Sequence, residues 1–336
     1  MIIHSRAPVR LSFAGGGTDV SPYTEEHGGC VVSASINKYA WSSLNIRQDS
    51  KIILKDSYTK TKTYNSMQEL AYGGRFDLLI AVIKNLNQSK KGINLSLRGD
   101  VPARSGLGSS ASAFASIIGA FNHLMKENRM TDYDIAELAF TLEREELKNR
   151  GGRQDQYASV FGGLNYIEFK GDDFVRVNPV KIRREHLLEL EKNTLLVHIM
   201  NRSASGDIIA DQVKSYVRGK KEVVEALHSV KALTQETNRA LRKGDLNRFG
   251  ELLHEGWCEK KKFSPMITNK QIDKIYSIAQ KNGAIGGKIS GAGGGGHMTL
   301  YCESGKEEDV SRAVTKAGAY VRSFSFDMEG LVTWEV

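Results

Sequence analysis

Between Val101 and Phe114 the chain reads VPARSGLGSSASAF, two glycines and a run of small hydroxyl residues directly ahead of an apolar pattern at helical spacing. Such a segment has to be a tight loop that opens a helix, because glycine supplies left-handed backbone and the apolar repeat then starts at once. Gly106 to Ala111 formally matches G-x-G-x-x-A, the dinucleotide fingerprint. The context excludes it. A dinucleotide turn follows its strand immediately and leads to a second strand ending in an acidic residue, whereas here 100–105 intervene and another helix follows. A P-loop is excluded as well, since no lysine follows the second glycine. What survives is a cradle of main-chain N–H groups at a helix N-terminus, where no Cβ keeps an anion away and the dipole favours negative charge. On these residues alone, a flexible loop with a serine N-cap fits equally.

Two further glycine clusters bear on that choice. Lys288 to His297 reads KISGAGGGGH and directly precedes the strand pattern MTLYC. Ordering so many glycines costs backbone entropy that a plain turn does not require, and close approach to a ligand would offset it; a long flexible hairpin is the alternative. Ala14 to Asp19, AGGGTD, follows the first strand and ends in a carboxylate, as an Asx-type turn also would.

Around these loops, residues 2–64 read as strands: VRLSFAG, CVVSASINKYAWSSLNI, KIILKDS and KTKTY are rich in β-branched and aromatic residues. Helical patterns follow at 75–86, 109–126 and 131–148, the last opened by a Thr-Asp cap, with a strand at 93–99 between the first two. After LNYIEF, a charged segment with Gly171 and Pro179 sets a border, giving domains 1–175 and 176–336. The second half reads as strand LLVHIM, helices over 206–243, 245–260 and 269–281, the glycine loop, HMTLYC, a helix at 306–317, and strands YVRSFSF and LVTWEV. Strands and helices mix without βαβ alternation, which predicts an α+β architecture.

No apolar stretch approaches the roughly 18 residues of a membrane span, and the N-terminus lacks the pattern of a secretory signal, so a cytoplasmic protein without a membrane partner is expected. Cys30, Cys258 and Cys302 lack any zinc or disulfide spacing and are expected to be ordinary thiols. The formal charge is +8, from 47 basic and 39 acidic residues. The basic residues are dispersed and not interleaved with aromatics, which argues against nucleic acid and for a solvated face or a polyanionic small ligand.

Taken together and in order, RAPVRLSFAGGGTD, VPARSGLGSSAS and KISGAGGGGH resemble the three motifs of the GHMP sugar and isoprenoid kinases, across essentially the whole chain. Within that family AGGGTDVSPY, GGRQDQYASVFGG and the stretch from Leu252 to Gly296 are most similar to the branch acting on D-glycero-D-manno-heptose 7-phosphate. Galactokinase-like members carry a Glu-His pair before the Thr-Asp, where this chain has Gly16 and Gly17.

The resemblance implies an N-terminal domain like the second domain of ribosomal protein S5, a ferredoxin-like C-terminal domain, and ATP with Mg²⁺ between them. It assigns Gly106, Leu107, Gly108, Ser109, Ser110 and Ala111 to the phosphate-binding loop, with Gly291, Gly293 and Gly294 from the third motif facing the same nucleotide. Ser110, or Ser109 beside it, would ligate Mg²⁺ with Glu143; read without the family, Glu143 is a charged rim residue. Asp155 would be the catalytic base and Arg10 its partner, while Asp19 and Gly17 would meet substrate hydroxyls. An Arg10–Asp19 ion pair without function is the plain alternative. Arg202, Lys261, Lys262 and Lys288 are candidates for the sugar phosphate. The activity implied is phosphorylation of the anomeric hydroxyl of a phosphorylated sugar, with room for a homo-oligomer. A different sugar 1-kinase, for fucose or an N-acetylhexosamine, and a catalytically silent sugar and nucleotide sensor are the competing expectations.

Overall fold

The computed structural model describes residues 1–56, 60–87, 91–125, 127–171, 173–201 and 206–336. Its first sheet grows from two long strands, β1 (Ile2–Ala14) and β2 (Gly29–Ile46), which pair antiparallel. Most of their β-branched and aromatic residues are buried, as the sequence pattern required, with Ile2, Tyr39, Trp41 and Ile46 more accessible. Four more strands extend the sheet: β3 (Ile52–Asp56), β4 (Thr61–Tyr64), β5 (Ile93–Gly99) and, off β2, β6 (Leu164–Lys170). A further strand, β7 (Phe174–Pro179), pairs with β6. The pairing of β3 with β5 is parallel, and the others are antiparallel.

A short helix α1 (Tyr23–His27) bridges β1 to β2, and α2 (Asp77–Leu86) precedes β5. The helix opened by the glycine loop is α3 (Ser109–Leu124), and every residue from Ala111 to Phe121 is buried. It runs so close to the sheet because its small residues permit it. Ser112 Oγ donates to the Ala7 carbonyl at 2.6 Å and accepts from Ala40 N at 3.2 Å. Ser116 Oγ donates to the Ser5 carbonyl at 3.3 Å. The hydroxyl run is thus partly structural: it satisfies main chain where β1 slips register between Pro8 and Val9.

Next come α4 (Asp132–Thr141), opened by a Thr131–Asp134 capping box, and a π-helical turn over Leu142–Glu146. The single helix expected over 131–148 is therefore interrupted, and Lys148 leaves it at φ +57°. Helix α5 (Gln154–Phe161), inside GGRQDQYASVFGG, and α6 (Arg184–Asn193) had no clear periodic signal.

The second sheet holds β8 (Thr194–Met200), β9 (Ala284–Ile289), β10 (Gly296–Cys302) and β11 (Tyr320–Arg322) in the order β11-β8-β10-β9, all antiparallel. With α7 (Gly206–Val217), α8 (Lys221–Lys243), α9 (Leu246–Lys260) and α10 (Lys270–Lys281) between β8 and β9, and α11 (Glu307–Lys316) between β10 and β11, this is the βαββαβ order of a ferredoxin-like domain. The helix expected over 206–243 breaks at Gly219, φ +65°. Strand β9 went unread because AIGGKI carries two glycines inside a six-residue strand.

The domain border moves. Position 175/176 falls inside β7, which pairs with β6 along its length. The last strand, β12 (Val332–Glu335), returns to the first sheet beside β1, so residues 332–335 belong with the N-terminal half. Phe13 from β1 meets Phe249 of α9 edge to face at 5.2 Å, and Phe249 meets Tyr301 of β10 at 5.3 Å. These rings form an apolar seam joining the two domains. Among the described residues no helix is long and apolar enough to cross a membrane, and the three cysteines are free thiols, two of them buried.

Candidate active site

Loop 105–108 is fastened from both sides. Arg10 N, just past the slip in β1, donates to the Leu107 carbonyl at 2.9 Å, and the Leu107 side chain is fully buried beneath the loop. From the C-terminal domain, His297 Nδ1 donates to the Ser105 carbonyl at 2.8 Å. A Cβ on Gly106 would stand 2.6 Å from the Ser290 carbonyl, so the second and third glycine motifs are in direct contact. Gly106 and Gly108 both hold φ near +80°, at +82° and +78°, and Gly108 is the N-cap of α3, replacing the serine cap considered above.

The loops open on one cleft of about 890 Å³, lined by Gly106, Gly108, Ser109, Ser110, Ala111 and Gly291. Eight Lys or Arg side chains line it against four Asp or Glu. The chain's positive excess is focused where a polyanion would lie.

Asp155 stands in the first turn of α5 on the wall facing the loop; a Cβ on Gly108 would be 3.3 Å from its Oδ2. Arg10, 2% exposed, donates to Asp155 Oδ1 through Nε at 2.8 Å and Nη2 at 2.5 Å, and to the Gly106 carbonyl through Nη1 at 2.7 Å. The buried arginine thus ties Asp155 to the loop, and it pairs with Asp155, not with Asp19. Both its bonds to the carboxylate fall on one oxygen, and among the described residues nothing donates to Oδ2 of Asp155, a residue that lines the cleft.

Asp19 also lines the cleft, with Oδ1 accepting from Gly17 N at 2.9 Å and Oδ2 from Gln154 Nε2 at 3.0 Å. Glu143 is brought inward by the π-helical turn and is 4% exposed. Its Oε2 accepts from Gln156 Nε2 at 2.6 Å, and Arg144 lies 3.4 Å from Oε1. It is not the rim residue its charged neighbours suggested. Among the described residues no three His, Cys, Asp or Glu side chains cluster as a metal cage. One buried carboxylate and a helix-terminal hydroxyl in a common cleft suit a cation whose other ligands are phosphate and water.

Several expected residues lie elsewhere. Gly293 and Gly294 back the third loop, packed on Ile267 and Ile208, and do not line the cleft. Lys288 is buried on β9 behind the wall, and burial, with Lys260 and Arg10 near it and Asp19 opposing, pulls its ammonium well below the ordinary lysine range. Lys261 reaches over the Trp257 ring and Lys262 pairs with Glu259 at 2.6 Å, both away from the cleft. Arg202 lies outside the described residues. The cleft adds Lys260, Gln154 and Gln212, which the sequence reading passed over. Lys260 had a signal. It extends the buried face of α9 set by Phe249, Leu253 and Trp257, so its place is the core side, although it opens a KKK run.

Both parts of this arrangement, a lysine-free glycine loop at a helix start and a glycine loop from a ferredoxin-like domain, fall within matches to family models. Residues 77–163 match the GHMP kinases N terminal domain and residues 237–319 the GHMP kinases C terminal domain. The chain belongs to the GHMP kinases, which are ATP-dependent. It is 35% identical to the D-glycero-alpha-D-manno-heptose 7-phosphate kinase of Campylobacter jejuni subsp. jejuni, over 99% of each chain. A solved D-glycero-D-manno-heptose 1-phosphate kinase from Bacteroides thetaiotaomicron superposes at a TM-score of 0.83, 33% identical over 99% of each chain. Lactococcus lactis galactokinase, solved with galactose, shares the fold at a TM-score of 0.78 and 20% identity, covering 100% of this chain and 95% of its own.

Proposed function

We propose that the protein transfers the γ-phosphoryl group of ATP to the anomeric hydroxyl of D-glycero-D-manno-heptose 7-phosphate, giving the 1,7-bisphosphate for nucleotide-activated heptose and surface glycans, in the cytoplasm. The relatives named above support the substrate, and the pair Arg10–Asp155 carries the chemistry. Because Arg10 occupies Oδ1 alone, Oδ2 is the oxygen that takes the proton as the sugar oxygen attacks in line. Arg10 stays beside the reacting centre and offsets charge on the transferring group. Main-chain N–H groups at 106–111 hold the phosphates at the start of α3. Ser110 and Glu143 would hold Mg²⁺, which supplies charge neutralisation between the phosphate oxygens. Asp19 and Gln154 orient the acceptor hydroxyls.

A coupled ADP-release assay over phosphorylated and free sugars tests the reading. Wild type should prefer heptose 7-phosphate, and Asp155→Asn should lower kcat by about 10²–10⁴-fold with KM for ATP little changed. Retained turnover in that variant rejects the base assignment, and equal rates on heptose and its 7-phosphate reject the substrate.

A further inference from the structure

Adjacent residues in the first turn of α5, Asp155 and Gln156, serve different walls of the site. Asp155 lines the cleft and is held by Arg10. Gln156 is fully buried and lies behind the cleft lining. Its Nε2 donates to Glu143 Oε2 at 2.6 Å, which joins α5 to the π-helical turn over Leu142–Glu146. An ionised carboxylate only accepts, so the amide nitrogen and not its oxygen has to face Glu143. That choice leaves Gln156 Oε1 buried without a hydrogen-bond partner among the described residues. A buried acceptor left unsatisfied is costly, and an apolar side chain of similar size would not incur the cost. The bond to Glu143 is what offsets it.

Three features give that bond a role beyond satisfying a buried charge. Gln156 is neutral, so it fixes the Glu143 carboxylate without cancelling its charge, and the charge stays available to a hard cation in the cleft that Glu143 lines. The cation nearest Glu143, Arg144, stands 3.4 Å from Oε1 and gives its Nη2 to the Gly152 carbonyl at 3.2 Å. The hydrogen bond also falls on one oxygen alone. Oε2 is held, and among the described residues Oε1 accepts no hydrogen bond. Finally, nothing within the π-helical turn holds the Glu143 side chain, whose rotamers are many and costly to freeze. Its direction is set from α5.

We propose that Gln156 is the positioning residue of the metal carboxylate: its amide fixes Glu143 at Oε2 and leaves the other oxygen for Mg²⁺, so that one turn of α5 sets both the base and the metal ligand. This rests on the reading of Glu143 as an Mg²⁺ ligand given above. Partners of this kind orient a ligand and tune its hold on the metal without touching the metal themselves.

Calorimetric titration with ADP, once in Mg²⁺ and once in EDTA, gives two Kd values whose ratio isolates the share of the metal without any turnover. Wild type, E143Q, Q156L, Q156N and the double variant E143Q/Q156L provide the test, with melting temperatures taken for each. Q156L should cut the ratio about tenfold or more, raise the Mg²⁺ concentration for half-maximal rate by a similar factor, and leave Kd in EDTA and KM for the sugar within about twofold. Q156N keeps the amide but falls one methylene short of Glu143, so it should follow Q156L, and it carries the test if Q156L does not fold. Adding Q156L to E143Q should cost little further, because a residue that acts through Glu143 then has no carboxylate left to place. An E143Q variant with the wild-type ratio overturns the metal reading and this proposal with it. A ratio that E143Q cuts and both Gln156 variants keep, even at a lowered melting temperature, overturns the positioning role alone, as do losses that multiply in the double variant.

Discussion

Acid should weaken the protein through His297, the residue that ends the third glycine motif and fastens the 105–108 loop. The ring is fully buried, and its Nδ1 proton is committed to the Ser105 carbonyl. Among the described residues Nε2 has no partner, and the His198 ring stands 5.0 Å away. A second proton would place a cation in that space. Burial above all, with His198 and Arg322 adding to it against the Ser105 carbonyl, therefore pulls the imidazole from 6.5 down to about 4. Because the folded state holds this proton less tightly than the unfolded chain, the unfolded chain binds more protons between those values. The stabilisation is complete above pH 6.5 and is lost as pH falls from there toward 4. The gap corresponds to about 3 kcal/mol in all, and about 2 kcal/mol is gone by pH 5. At about 1–2 °C per kcal/mol for a chain of 336 residues, the melting temperature should drop about 2–4 °C between pH 7 and 5 on this account. His297→Asn keeps an amide N–H near the Nδ1 position and cannot titrate. Its melting temperature at pH 7 should be lower, since the ring is lost, but its fall toward pH 5 should be shallower by the amount above. Parallel falls in wild type and variant, followed by circular dichroism or dye-monitored melting, would refute the reasoning.

Two further substitutions probe the loops and the metal. Gly106→Ala places a Cβ 2.6 Å from the Ser290 carbonyl at φ +82°, a left-handed penalty of about 1–2 kcal/mol before the clash; KM for ATP should rise at least about tenfold, and an unchanged value would mean that the two loops do not jointly grip the nucleotide. Glu143→Gln retains a partner for Gln156 but loses the charge, so the Mg²⁺ concentration for half-maximal rate should rise about tenfold or more while KM for the sugar stays put; an unmoved Mg²⁺ titration removes Glu143 from the metal.

The parts of this molecule legible in its sequence are those where one pattern decided the outcome. The long strands β1 and β2 were visible because their β-branched runs are buried on a sheet, and α3 because small residues led straight into an apolar repeat. Placements that depend on partners far away in the chain were not. β12 was legible as a strand in LVTWEV, but nothing in it announces that it joins the first sheet at the open edge of β1. The π-helical turn that carries Glu143 inward has no local signature, and within LEREE nothing distinguishes the buried glutamate from its exposed neighbours. Among the site residues, Arg10, Asp19 and Asp155 were marked by glycines or motif position. Lys260 was concealed by the two lysines after it, although its register on α9 pointed to the core.

The same register explains why the site sits at the seam. Phosphoryl transfer asks for positioning more than for reactive groups, so its parts have to be held by something stiffer than the loops that bear them. Here every glycine loop is fastened by a buried group from another element: 105–108 by Arg10 and His297, Gly291 by Lys260, and Gly17 by Gln212. Two of those fasteners cross between domains, beside the Phe13–Phe249–Tyr301 packing. Interfaces between domains ordinarily permit relative motion unless they are large and apolar. An aromatic seam behind the loops opposes such motion, so the placement of the Gly291 loop relative to Asp155 and the 106–111 loop is held by packed side chains and not by glycine backbone. The flexibility of glycine then serves close approach of backbone across the cleft, while the cost of ordering it is met by the core behind the loops.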